Sequence, residues 1–126
     1  MQAGGRPALV CRALEAFAAH LFTTRHWPLG SSAAGDRTDG WADVARSMQI
    51  EAGRLVRVRQ VHRADVAVWR KDDRIPPEPQ EADIIMSSDP AAALAIVAAD
   101  CVPLLVADQR TGAVAAAHAG WRGAVG

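Results

Sequence analysis

The last third of the chain, residues 91–126, constrains the fold most. It reads AAALAIVAADCVPLLVADQRTGAVAAAHAGWRGAVG and is the most apolar stretch of the protein. Leu94 to Ala99 is too short for a stable helix and rich in strand formers, so a buried strand is expected there. Pro103 falls just inside a second strand, Leu104 to Ala107, where its missing donor is tolerated. Asp108 to Gly112 then reads as a hairpin loop that closes on glycine, and Ala113 to His118 as the returning strand. Cys101 precedes the first hairpin strand and His118 ends the second. Antiparallel pairing brings them to one end, with Ala107 near Ala113 and Val102 or Cys101 near His118. On a shared face the two side chains lie about 5 Å apart.

A third candidate ligand stands upstream. Gln60-Val61-His62 ends an alternating run, Leu55 to Val61, that predicts a half-buried strand. A thiolate and two imidazoles suit zinc or copper. Three protein ligands leave one position open, the layout of a catalytic zinc that activates water and polarises a substrate oxygen. The separations, 39 residues from His62 to Cys101 and 17 from there to His118, match no short metal motif. The residues alone therefore leave three readings: a metal site, a Cys101–His118 nucleophile pair, or a buried cysteine beside unrelated histidines. Gly120 to Gly123 could present backbone N–H groups to an anion at the start of a following helix, with Arg122 as a phosphate clamp.

The rest of the chain reads more plainly. Residues 1–7 are expected to be frayed. Ala8 to Thr24 suggests a short element, with Leu9, Leu14 and Phe17 at near-helical spacing, and then a strand over Leu21 to Thr24. His26 to Gly40 is loop by its proline, glycines and paired serines. Trp41 to Ile50 sets Trp41, Val44, Ala45 and Met48 on one face of a helix, with Asp39 as its N-cap. Asp65 to Trp69 is a further strand, three residues beyond Val61, so a tight hairpin or a bulged continuous strand is expected. Lys71 to Gln80 is a surface loop, and Glu81 to Met86 begins another strand. Arg54, Arg57, Arg59 and Arg63 read as a solvated strand face, His20 and His26 as surface or capping residues, and Cys11 as a small buried one. Strands and hairpins with few helices make the fold class α+β, a mixed β-sheet with flanking helices, part of a layered sandwich.

Composition excludes some functions. The 126 residues imply one domain, and 14 acidic against 14 basic side chains give no net charge. That removes the electrostatic case for nucleic acid or a membrane surface as partner. No apolar run reaches bilayer length, and the polar, Gly-rich residues 1–7 do not read as the start of a signal sequence. Two cysteines and no secretory signal suggest a reduced, cytoplasmic setting.

Several segments together resemble one known family. They are Phe22-Thr23-Thr24-Arg25, Gln60-Val61-His62, Ala82-Asp83, Ala99-Asp100-Cys101-Val102-Pro103-Leu104-Leu105 and His118-Ala119-Gly120-Trp121-Arg122-Gly123. They are similar to the signature of the laccase-domain (YfiH-type) family, whose members have been called polyphenol oxidases and purine nucleoside phosphorylases. The resemblance implies a metal, usually zinc and alternatively copper, on His62, Cys101 and His118. It implies phosphorolysis of adenosine, inosine, guanosine and methylthioadenosine, with adenosine deamination as a side activity. Purine nucleosides and phosphate are then the partners. Arg25 and Arg122 match motif arginines, with phosphate or substrate contact as their expected role. The 26–40 loop departs from the family pattern. Family chains also run to about twice this length, so residues 1–126 read as an N-terminal half. Copper-dependent phenol oxidation and an inactive fragment stand as the alternative outcomes.

Overall fold

The computed structural model describes residues 2–3, 6–27, 29, 38–74, 79–98 and 101–120. Its elements are β1 (Gln2–Ala3), β2 (Arg6–Leu9), α1 (Arg12–Glu15), β3 (Phe22–Thr23), α2 (Thr38–Ser47), a short 3-10 turn (Ala52–Arg54), β4 (Leu55–Arg57), β5 (Val66–Trp69), β6 (Ile84–Ser87), β7 (Ala93–Ala95), β8 (Val102–Ala107) and β9 (Val114–Ala119). The fold is α+β, as the strand-rich pattern predicts.

Four strands in the order β5-β6-β9-β8 form the main sheet. The β5–β6 pair is parallel, and β6–β9 and β8–β9 are antiparallel. Strand alternation sends Ala67, Trp69, Ile85, Ala116 and Leu105 to one face, where they pack with Val56 of β4 and Leu94 of β7. The parallel β4–β7 pair therefore covers that face as a second layer. The opposite face is also apolar, with Leu104 47% and Val106 59% exposed. A sheet apolar on both sides carries the pattern of one covered on both sides. A smaller cluster, Ala8, Trp27 and Val44, seats α2 against β2 and the turn after β3. Trp27 fixes that turn by donating its indole N–H to the Pro7 carbonyl at 2.8 Å.

The 108–112 hairpin forms as read. Gly112 takes φ +77°, a left-handed conformation that costs a glycine little. The short helix and following strand over 8–24 also appear.

Other expectations need correction. Gln2–Ala3 and Arg6–Pro7 pair as antiparallel strands, so this part of the supposedly frayed terminus is paired. Helix α2 begins at Thr38, which puts Asp39 inside it rather than at its cap. The β4 and β5 strands do not form a hairpin. Each pairs in parallel with a strand further along the chain, because the apolar face of each is satisfied in a different layer. Cys11 is exposed, since its N–H is drawn to His20 Nε2 at 2.8 Å at the surface. His20 thus has the capping role expected. Arg54 is no solvated strand residue: it pairs with the buried Asp89 and lies 5.6 Å over the Trp69 ring. Most of the 26–40 loop, part of the 71–80 loop and the turn at Trp121–Gly123 lie outside the described residues. Among those described, no helix is long and apolar enough to cross a membrane.

Ile85 is 1% exposed at the centre of the main sheet. Ile85→Ala is expected to lower stability by about 2–5 kcal/mol in urea titration. Val106→Ala, on the open face, is expected to stay within about 0.5 kcal/mol of the parent.

Candidate metal centre

The hairpin register decides which side chains meet. Pro103 pairs with His118 and Val102 with Ala119, one residue off the expected register. Cys101 therefore lies just past the last rung, opposite Gly120. Gly120 has no side chain, and this leaves the space in which the donors converge. A Cβ there would stand 3.3 Å from Cys101 Sγ, 3.6 Å from His62 Nδ1 and 3.9 Å from His118 Cε1. One donor atom each of His62, Cys101 and His118 lies within 4.8 Å of the other two. The two imidazole rings meet edge to face, with centroids 4.9 Å apart.

His62 is held by its backbone. It takes φ +62°, a region that few residues other than glycine occupy but where histidine is enriched. That kink turns three successive N–H groups to one side, the backbone concavity that binds anions. Here the anion is internal. The Asp83 carboxylate accepts from the N–H groups of Val61 at 2.9 Å, His62 at 3.0 Å and Arg63 at 3.0 Å. Its Oδ2 also accepts from His118 Nδ1 at 2.7 Å, and its carbonyl accepts from the His118 N–H at 2.7 Å.

Asp83 and His118 are both buried. Burial pushes the Asp83 carboxyl up, but His118 and the three backbone donors together outweigh it and leave its pKa at about 2. With Nδ1–H committed to Asp83, His118 offers Nε2 as its ligand atom. Carboxylate-to-histidine bonding of this kind fixes the tautomer and raises the basicity of a ligating imidazole.

The donor set fits a metal ion. Sulfur and two imidazole nitrogens suit zinc or copper, and three protein ligands leave a position for substrate. The donors open on a cleft of about 490 Å³ whose lining includes Arg57, Arg59 and Gln60. Arg59 also pairs with Glu81, and Arg57 lies 4.1 Å over the Trp41 ring. Arg25 follows β3 in an exposed turn and is not among the residues lining that cleft. Arg122 lies outside the described residues.

The sequence assigned no role to Asp83 or Gln60, and it offered Gly120 only as part of an anion-binding turn. A hint existed for Asp83. It is a lone carboxylate between Ala82 and Ile84-Ile85, and a charge in an apolar run needs buried partners.

An α+β fold that ends a hairpin and a kinked turn on two histidines and a cysteine defines a candidate single-metal protein. Residues 36–126 match the family described as multi-copper polyphenol oxidoreductase laccase, and the chain belongs to that family. It is 36% identical to a protein named purine nucleoside phosphorylase from Deinococcus radiodurans, covering 100% of this chain and 52% of the relative. It is 34% identical to a protein named adenosine deaminase from an unknown prokaryotic organism, over 70% of this chain and 36% of that one. Among solved structures, YlmD from Geobacillus stearothermophilus superposes with TM-score 0.67 at 28% identity, covering 77% of this chain and 39% of that one. The chain thus spans about half the length, or less, of the relatives it matches.

Two substitutions test the arrangement. Asp83→Ala leaves three backbone donors and the His118 Nδ1–H without their acceptor, with an expected loss of about 3 kcal/mol in urea titration. The folded pKa of Asp83, about 2, lies below the unfolded value of about 3.9. Its contribution is therefore complete above the unfolded value and lost as pH falls through about 2. The parent should lose more stability than the variant across that acid range. Gly120→Ala is expected to push Cys101 Sγ outward and weaken zinc binding about 10-fold, read by competition with a chromophoric chelator.

Proposed function

We propose that this chain supplies the metal-binding part of a zinc-dependent purine nucleoside phosphorylase. Its substrates are phosphate and adenosine, inosine, guanosine or methylthioadenosine, with adenosine deamination as a side activity. The observation that carries this reading is the convergence of His62, Cys101 and His118 at a cleft in a chain similar to a purine nucleoside phosphorylase along its whole length. The similarity to an adenosine deaminase supports the side activity.

In this reading His62, Cys101 and His118 hold the zinc ion, which when bound polarises a substrate oxygen. The chain's own residues do the rest. Asp83 keeps the His118 Nδ1 proton in place and fixes the ring. Arg57 and Arg59 line the cleft, Arg59 is paired to Glu81, and Arg57 is the proposed phosphate contact there. In phosphorolysis a phosphate oxygen forms a bond to the ribose anomeric carbon as the bond to the purine nitrogen breaks. The bonding pair leaves with the base, which takes up a proton. Holding both reactants in line supplies much of the acceleration. Arg25 and Arg122 are proposed as further phosphate or substrate contacts, and the working unit is proposed to include the portion of the relatives that this chain does not span.

A copper oxidoreductase acting on phenols is the second reading, favoured by the family's description. The donor set could hold one copper ion. The chain has four histidines, of which His20 is engaged at Cys11, so it lacks the donors for a trinuclear copper cluster.

The expected result is zinc at near one equivalent on this chain, and, in a polypeptide that also carries the portion the relatives add, adenine release from adenosine only when phosphate is present, lost in Cys101→Ser. Inosine formation without phosphate as the sole reaction would assign a deaminase instead. Oxygen uptake with a phenol and added copper would assign the oxidoreductase.

A further inference from the structure

The cluster needs three chain segments to converge: the 61–63 turn, the end of β9 and the approach to β8 that carries Cys101. Asp83 ties the first two together. Gln60 reaches toward the third. Its Nε2 donates to the Val97 carbonyl at 2.6 Å, and its Oε1 accepts from the Val97 N–H at 2.7 Å. One primary amide, with both donors and acceptors, thus engages both backbone groups of a single residue.

The position of this contact gives it meaning. The parallel β4–β7 ladder runs Leu55–Ala93, Val56–Leu94 and Arg57–Ala95. Continued in the same register, Arg59 would stand beside Val97. The Arg59 backbone has already left: its N–H goes to the Gln80 carbonyl at 2.9 Å, and it bridges to Glu81. That departure carries the chain toward Asp83 and the kink at His62. It would leave Val97 without its rung, four residues before Cys101. The Gln60 side chain fills the gap.

We propose that Gln60 is a positioning residue for the His62–Cys101–His118 cluster. Its amide extends the β4–β7 ladder by one rung and ties the segment leading to Cys101 to the turn that carries His62. The proposal rests on the reading that the three donors hold a metal ion. The chemistry of the amide sets a ranking. Glutamate can accept from the Val97 N–H but cannot donate to its carbonyl. Asparagine is one methylene short of reaching both groups. Alanine offers neither bond.

The test compares Gln60→Ala, Gln60→Glu and Gln60→Asn with the parent chain. Zinc affinity is read by chelator competition, the thiolate-to-cobalt charge-transfer band by cobalt titration, and amide hydrogen exchange without metal. Gln60→Ala is expected to weaken zinc binding about 10- to 100-fold, to diminish the cobalt band, and to speed exchange at Val97 and Cys101 while β9 keeps its protection. Gln60→Glu should fall between parent and alanine, and Gln60→Asn near alanine. If Gln60→Ala fails to fold, the Glu and Asn variants carry the comparison. Unchanged affinity and cobalt band beside faster Val97 exchange would reduce the rung to a purely structural bond and overturn the proposal. Unchanged Val97 exchange would remove the rung itself. A parent that binds neither zinc nor cobalt would sink the metal reading. Exchange at Cys101 would then still decide whether Gln60 holds that segment.

Discussion

The site depends on one carboxylate. Asp83 lies at 0% exposure and accepts from three successive backbone N–H groups and from His118. A buried charge is tolerable only when its hydrogen-bonding capacity is met, and here four donors meet it. Each of those donors has a job beyond neutralising the charge. The backbone donors fix the His62 turn in a conformation that a free chain would rarely hold. The imidazole donor fixes the tautomer of His118. Two candidate ligands separated by 56 positions in the chain are thus set by one group outside the candidate donor set.

This division explains what could be read from the chain. The Cys101–His118 meeting follows from local rules: a five-residue loop, strand alternation and antiparallel pairing. The register moved by one rung and the two side chains still converged, because Cys101 extends past the ladder to face Gly120. The fold class followed from the same local signals. His62 is a candidate by residue type and place alone, and likeness to a family is what joins it to the other two, since its approach is non-local. Its turn is kinked by a carboxylate 21 residues away. No short-range pattern encodes such a bond.

The misread elements share a cause. The runs read as strands at 55–61 and 65–69 are separated by three residues, and short separation favours a hairpin. Both instead pair in parallel with later strands, in different layers. Parallel pairing is invisible to turn chemistry because its connections are long. Arg54 is a similar case. Its strand-like spacing among other arginines suggested solvent, but the buried Asp89 claims it. Cys11 erred the other way. Its type favours burial, but a backbone contact with His20 keeps it at the surface.

The same geometry separates what this chain provides from what its relatives add. The three donors, the Asp83 clamp and the Gln60 rung all lie within the 36–126 match to the family. The chain nonetheless spans only 52% of the phosphorylase it resembles along its full length. One face of the main sheet is apolar and exposed, and the donors open on a cleft lined in part by arginines. Metal binding needs only the convergence of donors, whereas phosphorolysis needs two substrates held in line and shielded from water. The first requirement is met by bonds within this chain. The second depends on walls around the cleft. On the proposed reading, metal affinity and catalytic turnover are therefore separable, and substitutions at Gly120, Asp83 and Gln60 test the first even where the second is absent.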